Sequence, residues 1–330
     1  MNQDVIFNSN VATIPVFQPL AAQPAAISHL FITVLWICAG IMVVVCAMVF
    51  GALIKYRHKP GDPEPKPYFG NHTVEIIWTV VPSIIVLWLV WLTIDGMSAY
   101  YPDLSKRAQA DITVIGHQWW WEAHYKEGVV VANELHIPTG KKLYVFLDSA
   151  DVIHNFWVPQ LARKLDAIPG FPNAIYMEAQ KPGTYLGACD EYCGLQHAWM
   201  RFIVIAQTPD DYAAWVKAQN TPASSHLSAA AVKGSREFHD MTCTNCHAIN
   251  NVPSLYPQTA PDLTHLASRQ TLGARFDDLQ KILELAASPR RIDPTPGVRF
   301  DHPNFSEPTC KHSFKCRDEN GFPLLSSVSA

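Results

Sequence analysis

Two long stretches of this chain hold no charge at all, and no other feature restricts its fold as much. From Leu30 to Ile54 every residue is uncharged, and most are Leu, Ile, Val, Met, Phe, Trp or Ala. At about 1.5 Å per residue, a helix of roughly 25 residues crosses a hydrocarbon layer of roughly 30 Å with some tilt. A second run, Ile76 to Ile94, is shorter and contains Pro82, which bends a membrane helix without preventing it from spanning. The first expectation is therefore a two-helix membrane hairpin over residues 30–97.

The connection between the runs reads K-Y-R-H-K-P-G-D-P-E-P-K-P, and its Lys55, Arg57 and Lys59 are the first cations in the chain. Cationic loops stay in the cytoplasm. The amino-terminal residues and everything after Ile94 are then expected outside the inner membrane of a bacterial cell, in the periplasm. Residues 1–29 carry no Lys or Arg and no long apolar core, so they lack the form of a secretory leader. They read as an exposed periplasmic tail.

Past Ile94 the composition turns ordinary. The chain is 48% hydrophobic yet its mean hydropathy is only +0.03, because the soluble part offsets the apolar runs. The net charge of -4 implies no nucleic-acid partner. A polar connector around Pro102 to Ala110 leads into D-I-T-V-I-G-H-Q-W-W-W-E-A-H-Y, a strand candidate with clustered tryptophans of a kind that ordinarily packs in cores or interfaces. Alternating runs at Lys142–Leu147, Ala174–Glu178 and Phe202–Ala206, with turns at Pro138-Thr-Gly and Lys181-Pro-Gly, predict an antiparallel β-sandwich over residues 98–219. Pro209 to Gln219 predicts a closing helix, and Asn220 to Ala231, rich in Ala, Ser, Pro and Thr, a linker.

Within the sandwich lies C-D-E-Y-C-G-L-Q-H-A-W-M, from Cys189 to Met200. Soft sulfur mixed with imidazole suits copper, and paired thiolates can bridge two ions where one thiolate would hold a single ion. His154, in D-V-I-H-N-F-W, adds an upstream donor, so the candidate ligands are His154, Cys189, Cys193, His197 and Met200. Spacing alone would also allow a disulfide between the two cysteines. Zinc fits poorly, because Met is a poor zinc ligand.

This segment resembles the copper A loop of subunit II of haem-copper cytochrome oxidases, C-x-E-x-C-G-x-x-H-x-x-M preceded by a D-V-x-H histidine, and matches it at every position. The resemblance implies a cupredoxin-like barrel of about ten strands. It also implies two coppers bridged by Cys189 and Cys193, with His154, His197 and Met200 as terminal ligands. Glu191 would give its carbonyl to copper and its side chain to a magnesium or manganese ion at the subunit I boundary. Trp119, first of the W-W-W run, falls where electrons enter from cytochrome c in that family. Glu75, in H-T-V-E-I-I-W-T, falls at the mouth of a proton path into subunit I, although a carboxylate at a helix start is stabilised by the dipole without any function.

A second motif, Cys243-Thr-Asn-Cys246-His247, is the C-x-x-C-H signature of thioether-linked haem with the histidine as proximal iron ligand. A zinc knuckle or redox dithiol would share the spacing. P-D-L-T-H-L-A-S-R, from Pro261 to Arg269, continues the likeness, with His265 and Arg269 as haem-edge or propionate contacts. A distal methionine is then expected, yet the chain has no Met after Met241. Phe300 stands in the corresponding place, His302 is the best-placed substitute, and Cys310, His312 and Cys316 sit in a charged tail. Beyond about Gly273 the resemblance fades, which reads as a frameshifted or degenerate tail.

The reading is a multidomain subunit II of a bacterial cytochrome c oxidase: hairpin, all-β cupredoxin-like copper domain, and an all-α cytochrome c-like region over residues 232–330. It implies subunits I and III and the lipid bilayer as partners, with cytochrome c or a quinol-cytochrome c reductase-type complex as donor. Two rival classes are a nitrous oxide reductase-type copper A protein, opposed by the hairpin and the E-x-x-W-T motif, and a membrane-anchored copper-binding assembly module.

Overall fold

The computed structural model describes residues 14–64, 67–98, 100–222, 228–249, 260–273 and 277–278. Phe300, His302, Cys310, His312 and Cys316 lie outside them.

Helix α1 runs Ala22–Lys55 and α2 runs His72–Ser98. The two touch, and both are long and apolar enough to cross a membrane. Large apolar side chains point outward all round, among them Trp36 at 71% exposure and Trp88 at 45%. A helix apolar on every side needs lipid or protein around it. Pro82 sits inside α2 and the helix continues through it.

Helix α1 begins eight residues before the expected Leu30 (30 − 22 = 8), and the segment leading into it is not a free tail. Pro24 is tolerated in a first helical turn, where its missing N–H has no intrahelical acceptor. The chain just before it is tied to the β-domain: Leu20 N–H donates to Gln160 O at 3.0 Å, Gln160 Nε2 to Gln18 O at 3.3 Å, and Arg163 N–H to Gln23 Oε1 at 3.2 Å. Ala21 and Gln23 are buried. Uncharged tail residues with free amides can satisfy a loop's backbone in this way, a pairing that no hydrophobic pattern reveals.

The β-domain has ten strands in two sheets. One sheet is ordered β3 (Val130–Ala132), β2 (Trp120–Tyr125), β1 (Ile112–His117), β5 (Leu143–Ser149), β8 (Asn173–Met177). The other is β4 (Glu134–Pro138), β10 (Arg201–Gln207), β9 (Gly183–Cys189), β6 (His154–Trp157), β7 (Leu165–Ala167). The expected sandwich is present, but the sheets are mixed: β1 pairs with β5 in parallel and β10 with β4 in parallel. Chain segments that cross between sheets bring non-consecutive strands side by side, an outcome invisible to local alternation.

Trp121, Phe156, Phe202, Leu135, Leu147 and Ile175 fill the space between the sheets, all under 2% exposed. Trp121 meets Phe156 edge-on at 5.4 Å, and Phe156 stacks on Phe202 at 4.6 Å. Helix α3 spans the predicted Pro209–Gln219, capped by Thr208, whose Oγ1 accepts from Asp211 N–H at 3.2 Å. Helix α4, Ala229–Asp240, follows and runs into the C-x-x-C-H turn.

Candidate metal centre

The donors sit on three pieces of one sheet's end. His154 opens β6, Cys189 closes β9, and Cys193, His197 and Met200 occupy the loop that leads into β10. Register holds the first two close: Phe156 pairs with Cys189 across β6 and β9, and Cys189 N–H donates to Met200 O at 2.9 Å. The loop is thus pinned at both ends while Cys193 and Met200 turn inward.

Cys189 Sγ and Cys193 Sγ are 3.9 Å apart and both thiols are free, whereas a disulfide needs about 2.05 Å. The disulfide alternative does not hold. Nδ1 of His154 is 3.9 Å from Cys189 Sγ, Nδ1 of His197 is 3.6 Å from Cys193 Sγ, and Met200 Sδ is 3.7 Å from Cys193 Sγ. The Glu191 carbonyl lies 3.3 Å from Cys189 Sγ, while the Glu191 side chain faces solvent. His154 and Met200 are fully buried, and Cys193 is 3% exposed. Two sulfurs flanked by imidazole nitrogens, a thioether and a carbonyl make a donor set that copper accepts. Burial, then the neighbouring Cys189, pushes the Cys193 thiol up to about 12. A bound cation is what would drive the protons off.

The surroundings orient these donors. Asp151 Oδ1 lies 2.8 Å from His154 Nε2; a carboxylate only accepts, so Nε2 carries the hydrogen and Nδ1 offers its lone pair to the centre. Asp151 Oδ2 also accepts from Gln118 N–H at 2.6 Å. Burial opposes the charge on Asp151, but the hydrogen bonds from His154, Val152 and Gln118 hold it below the usual carboxylate range. Gly116 gives His154 its room, since a Cβ there would fall 2.6 Å from the ring.

Trp119 reaches the centre directly. Its Nε1–H donates to Cys193 O at 3.1 Å, and Gln118 Nε2–H donates to the same oxygen at 2.7 Å. Gly194 makes that approach possible: it adopts φ +119°, and a Cβ would lie 3.0 Å from Gln118 Nε2 and 3.1 Å from the Trp119 ring. Sequence reading found Trp119 but missed Asp151, Gln118 and Gly194. The Asp-x-x-His spacing was the available signal for Asp151, and the fixed glycine of the C-x-E-x-C-G pattern for Gly194; for Gln118 there was none, because its partners lie on loops distant in sequence.

Glu75 is not part of this cluster. It lies near the start of α2, roughly 35 Å of helix from Ser98, where Oε1 accepts from Asn71 N–H at 3.2 Å and Oε2 faces His72 Nδ1 at 3.5 Å.

The haem-motif residues form a tight turn in which Cys246 N–H and His247 N–H both donate to Cys243 O, at 3.2 and 3.0 Å. His247 Nδ1–H donates to Pro261 O at 2.8 Å, so Nε2 carries the lone pair and is the nitrogen available to an iron. That fits an axial ligand beside two free thiols. His265 and Arg269 lie on the following turn, where Arg269 Nη2 donates to Asp262 O at 2.6 Å.

A cupredoxin-like sandwich with a buried pair of thiols, standing on a two-helix membrane anchor, defines a class of membrane-tethered metalloproteins. The chain matches the family models described as cytochrome c oxidase subunit II, transmembrane domain, over residues 12–94, and cytochrome c oxidase subunit II, periplasmic domain, over residues 126–207. It is 36% identical over 252 residues to cytochrome c oxidase subunit 2 of Alkalihalophilus pseudofirmus, covering 74% of this chain and 73% of that one. With subunit 2 of Thermostichus vulcanus it shares 30% identity over 274 residues, covering 67% and 83%. A solved structure of the periplasmic domain of subunit II from Bradyrhizobium japonicum is 32% identical with a TM-score of 0.32, covering 33% of this chain and 94% of that one. This chain belongs to the cytochrome c oxidase subunit II family, the membrane-anchored subunit of a haem-copper oxidoreductase complex.

Proposed function

We propose that this subunit receives single electrons at Trp119 and through a C-x-x-C-H haem, and passes them through a two-copper centre to subunit I, where oxygen is reduced to water. The observation that carries the reading is the pair of buried, unbridged thiols 3.9 Å apart with two imidazole nitrogens, a thioether and a carbonyl around them. Cys189 and Cys193 would bridge the metals, with His154, His197 and Met200 as terminal ligands and the Glu191 carbonyl as a further one. When bound, the copper pair supplies a one-electron relay whose charge is shared over two nuclei, so little rearrangement accompanies each transfer. Asp151 fixes the His154 tautomer, and burial excludes water. The exposed Glu191 carboxylate is free for a magnesium or manganese ion at the subunit I boundary, and Glu75 stands at the opposite end of α2 as the entry of a proton path.

Cys243 and Cys246 would hold haem c covalently with His247 on its iron, and Arg269 would serve a propionate. Subunits I and III complete the assembly, and the donor is cytochrome c or a quinol-cytochrome c reductase-type complex. The cationic loop at Lys55, Arg57 and Lys59 supports a sandwich and haem segment on the periplasmic side of a bacterial inner membrane.

The test is nuclearity. The purified chain is expected to bind two coppers and show hyperfine coupling from two equivalent nuclei. Cys193→Ser should abolish that shared-electron signature, and Met200→Leu should retain copper with a changed potential, since a thioether is a weak axial donor. One copper per chain with single-nucleus hyperfine structure overturns the reading.

A further inference from the structure

Glu134, the first residue of β4, is a carboxylate buried to 3% exposure at the edge of the sandwich. A carboxylate is taken out of water only where hydrogen bonds replace its hydration. All its side-chain partners among the described residues come from far along the chain. Oε1 accepts from Thr271 N–H at 2.5 Å and from Thr271 Oγ1–H at 2.6 Å, and Oε2 accepts from Gln270 N–H at 3.1 Å. The sandwich itself supplies none of these donors.

The segment that meets Glu134 is hydrogen-bonded to the C-x-x-C-H turn. His247 is bonded to Pro261, Leu263 N–H donates to Ala248 O at 2.9 Å, and Arg269 closes onto Asp262. A further tie comes from α3, where Gln219 Nε2 donates to Ser268 Oγ at 3.3 Å. Between the two surfaces lies a cavity of about 240 Å³ lined by Glu134, His136, Trp215, His265 and Arg269. α3 ends at Gln219 and α4 starts at Ala229, so α4 starts three residues inside the expected linker and only a short connection joins the two parts. Such a tether keeps the local concentration high but fixes no distance, so a few charge-assisted bonds suffice to hold a single arrangement.

We propose that Glu134 is a latch that seats the haem-bearing segment on the sandwich in one orientation, through an intrachain docking surface made of β4, α3 and residues 261–271. The proposal rests on the reading of Cys243, Cys246 and His247 as haem attachment. Its consequence is a fixed path between the two redox centres instead of a distribution of distances.

The experiment uses the full chain in its oxidase. Glu134→Gln replaces one acceptor oxygen with an NH2 facing a backbone N–H, Glu134→Ala removes both oxygens, and Thr271→Val removes only the hydroxyl donor. Hydrogen exchange at Gln270 and Thr271, followed by mass spectrometry, is expected to accelerate about tenfold or more in both Glu134 variants and less in Thr271→Val. Proteolysis between α3 and α4, within residues 220–228, should quicken in parallel. Haem-to-copper transfer should slow and become multiphasic, while the copper spectrum, which reports on folding of the sandwich, stays unchanged. Unchanged exchange in all three variants, with copper and haem intact, overturns the latch. Absence of covalent haem in the unsubstituted chain instead overturns the haem reading, and the redox purpose of the latch with it, while exchange still reports on the docking.

Discussion

Cys193 illustrates how much one residue can carry: its sulfur faces Cys189, His197 and Met200, and its carbonyl accepts from both Trp119 and Gln118. On the proposed function, an electron arriving at the Trp119 ring would have a hydrogen-bonded route of one residue to a sulfur that would bridge the metals. Trp119→Ala is expected to slow electron arrival at copper by roughly tenfold or more, equivalent to about 1.4 kcal/mol in the barrier, with the copper spectrum and thermal stability nearly unchanged. Stopped-flow reduction by a cytochrome c donor measures it. A large fall in stability with unaltered transfer in the folded fraction would return Trp119 to simple packing. The neighbouring Trp121 is the opposite case, fully buried against Phe156 and Phe202. By residue type alone the two are indistinguishable members of one W-W-W run, since what separates them is that Trp119 lies in the turn before β2 and Trp121 on the strand itself.

At the scale of elements, β1 and β2 are joined by a buried polar contact that hydrophobic patterning gives no sign of. Glu122, on β2, lies 2.8 Å from both His117 Nε2 and His124 Nε2, and His117 stacks on Trp120 at 4.2 Å. Burial alone would raise the carboxyl pKa, but the hydrogen bonds from His117 and His124 outweigh it and bring Glu122 from 4.5 to about 2. A depressed carboxylate contributes stability that is fully present above about pH 4.5 and is lost as pH falls toward 2. That contribution is on the order of 3 kcal/mol. Glu122→Gln should unfold at a lower temperature at pH 7 and lose the part of the acid dependence that Glu122 supplies between pH 4.5 and 2. Calorimetry across that range decides it, and identical pH slopes for the two proteins would show the network to be energetically silent. The elements themselves were largely legible: α3 matches its predicted ends and both membrane helices fall on the charge-free runs, because capping residues and hydrophobic length are local signals. The parallel pairs and the tie of residues 18–23 to the sandwich were not, because both depend on contacts between distant segments.

For the whole molecule, the hairpin fixes which ends share a side. The start of α1 is bonded to the sandwich through Gln18, Leu20 and Gln23, and the sandwich follows the end of α2. With both helices spanning, as proposed, both ends of the hairpin belong to one face of the bilayer and the cationic turn after Lys55 to the other. On the proposed orientation charge sets which face is which, since Lys55, Arg57 and Lys59 would hold the loop in the cytoplasm. A cysteine introduced at His58, an exposed loop position, should react with a membrane-impermeant maleimide in inverted vesicles and not in intact spheroplasts. One introduced at Val130, 42% exposed on β3, should show the reverse, each measured as the increment over the unsubstituted chain. Labelling of both from the same side would break the hairpin reading. Labelling with the two sides exchanged would keep the hairpin but put the metal centre in the cytoplasm, away from its proposed donor, so the same experiment tests the anchor and the direction of electron entry separately.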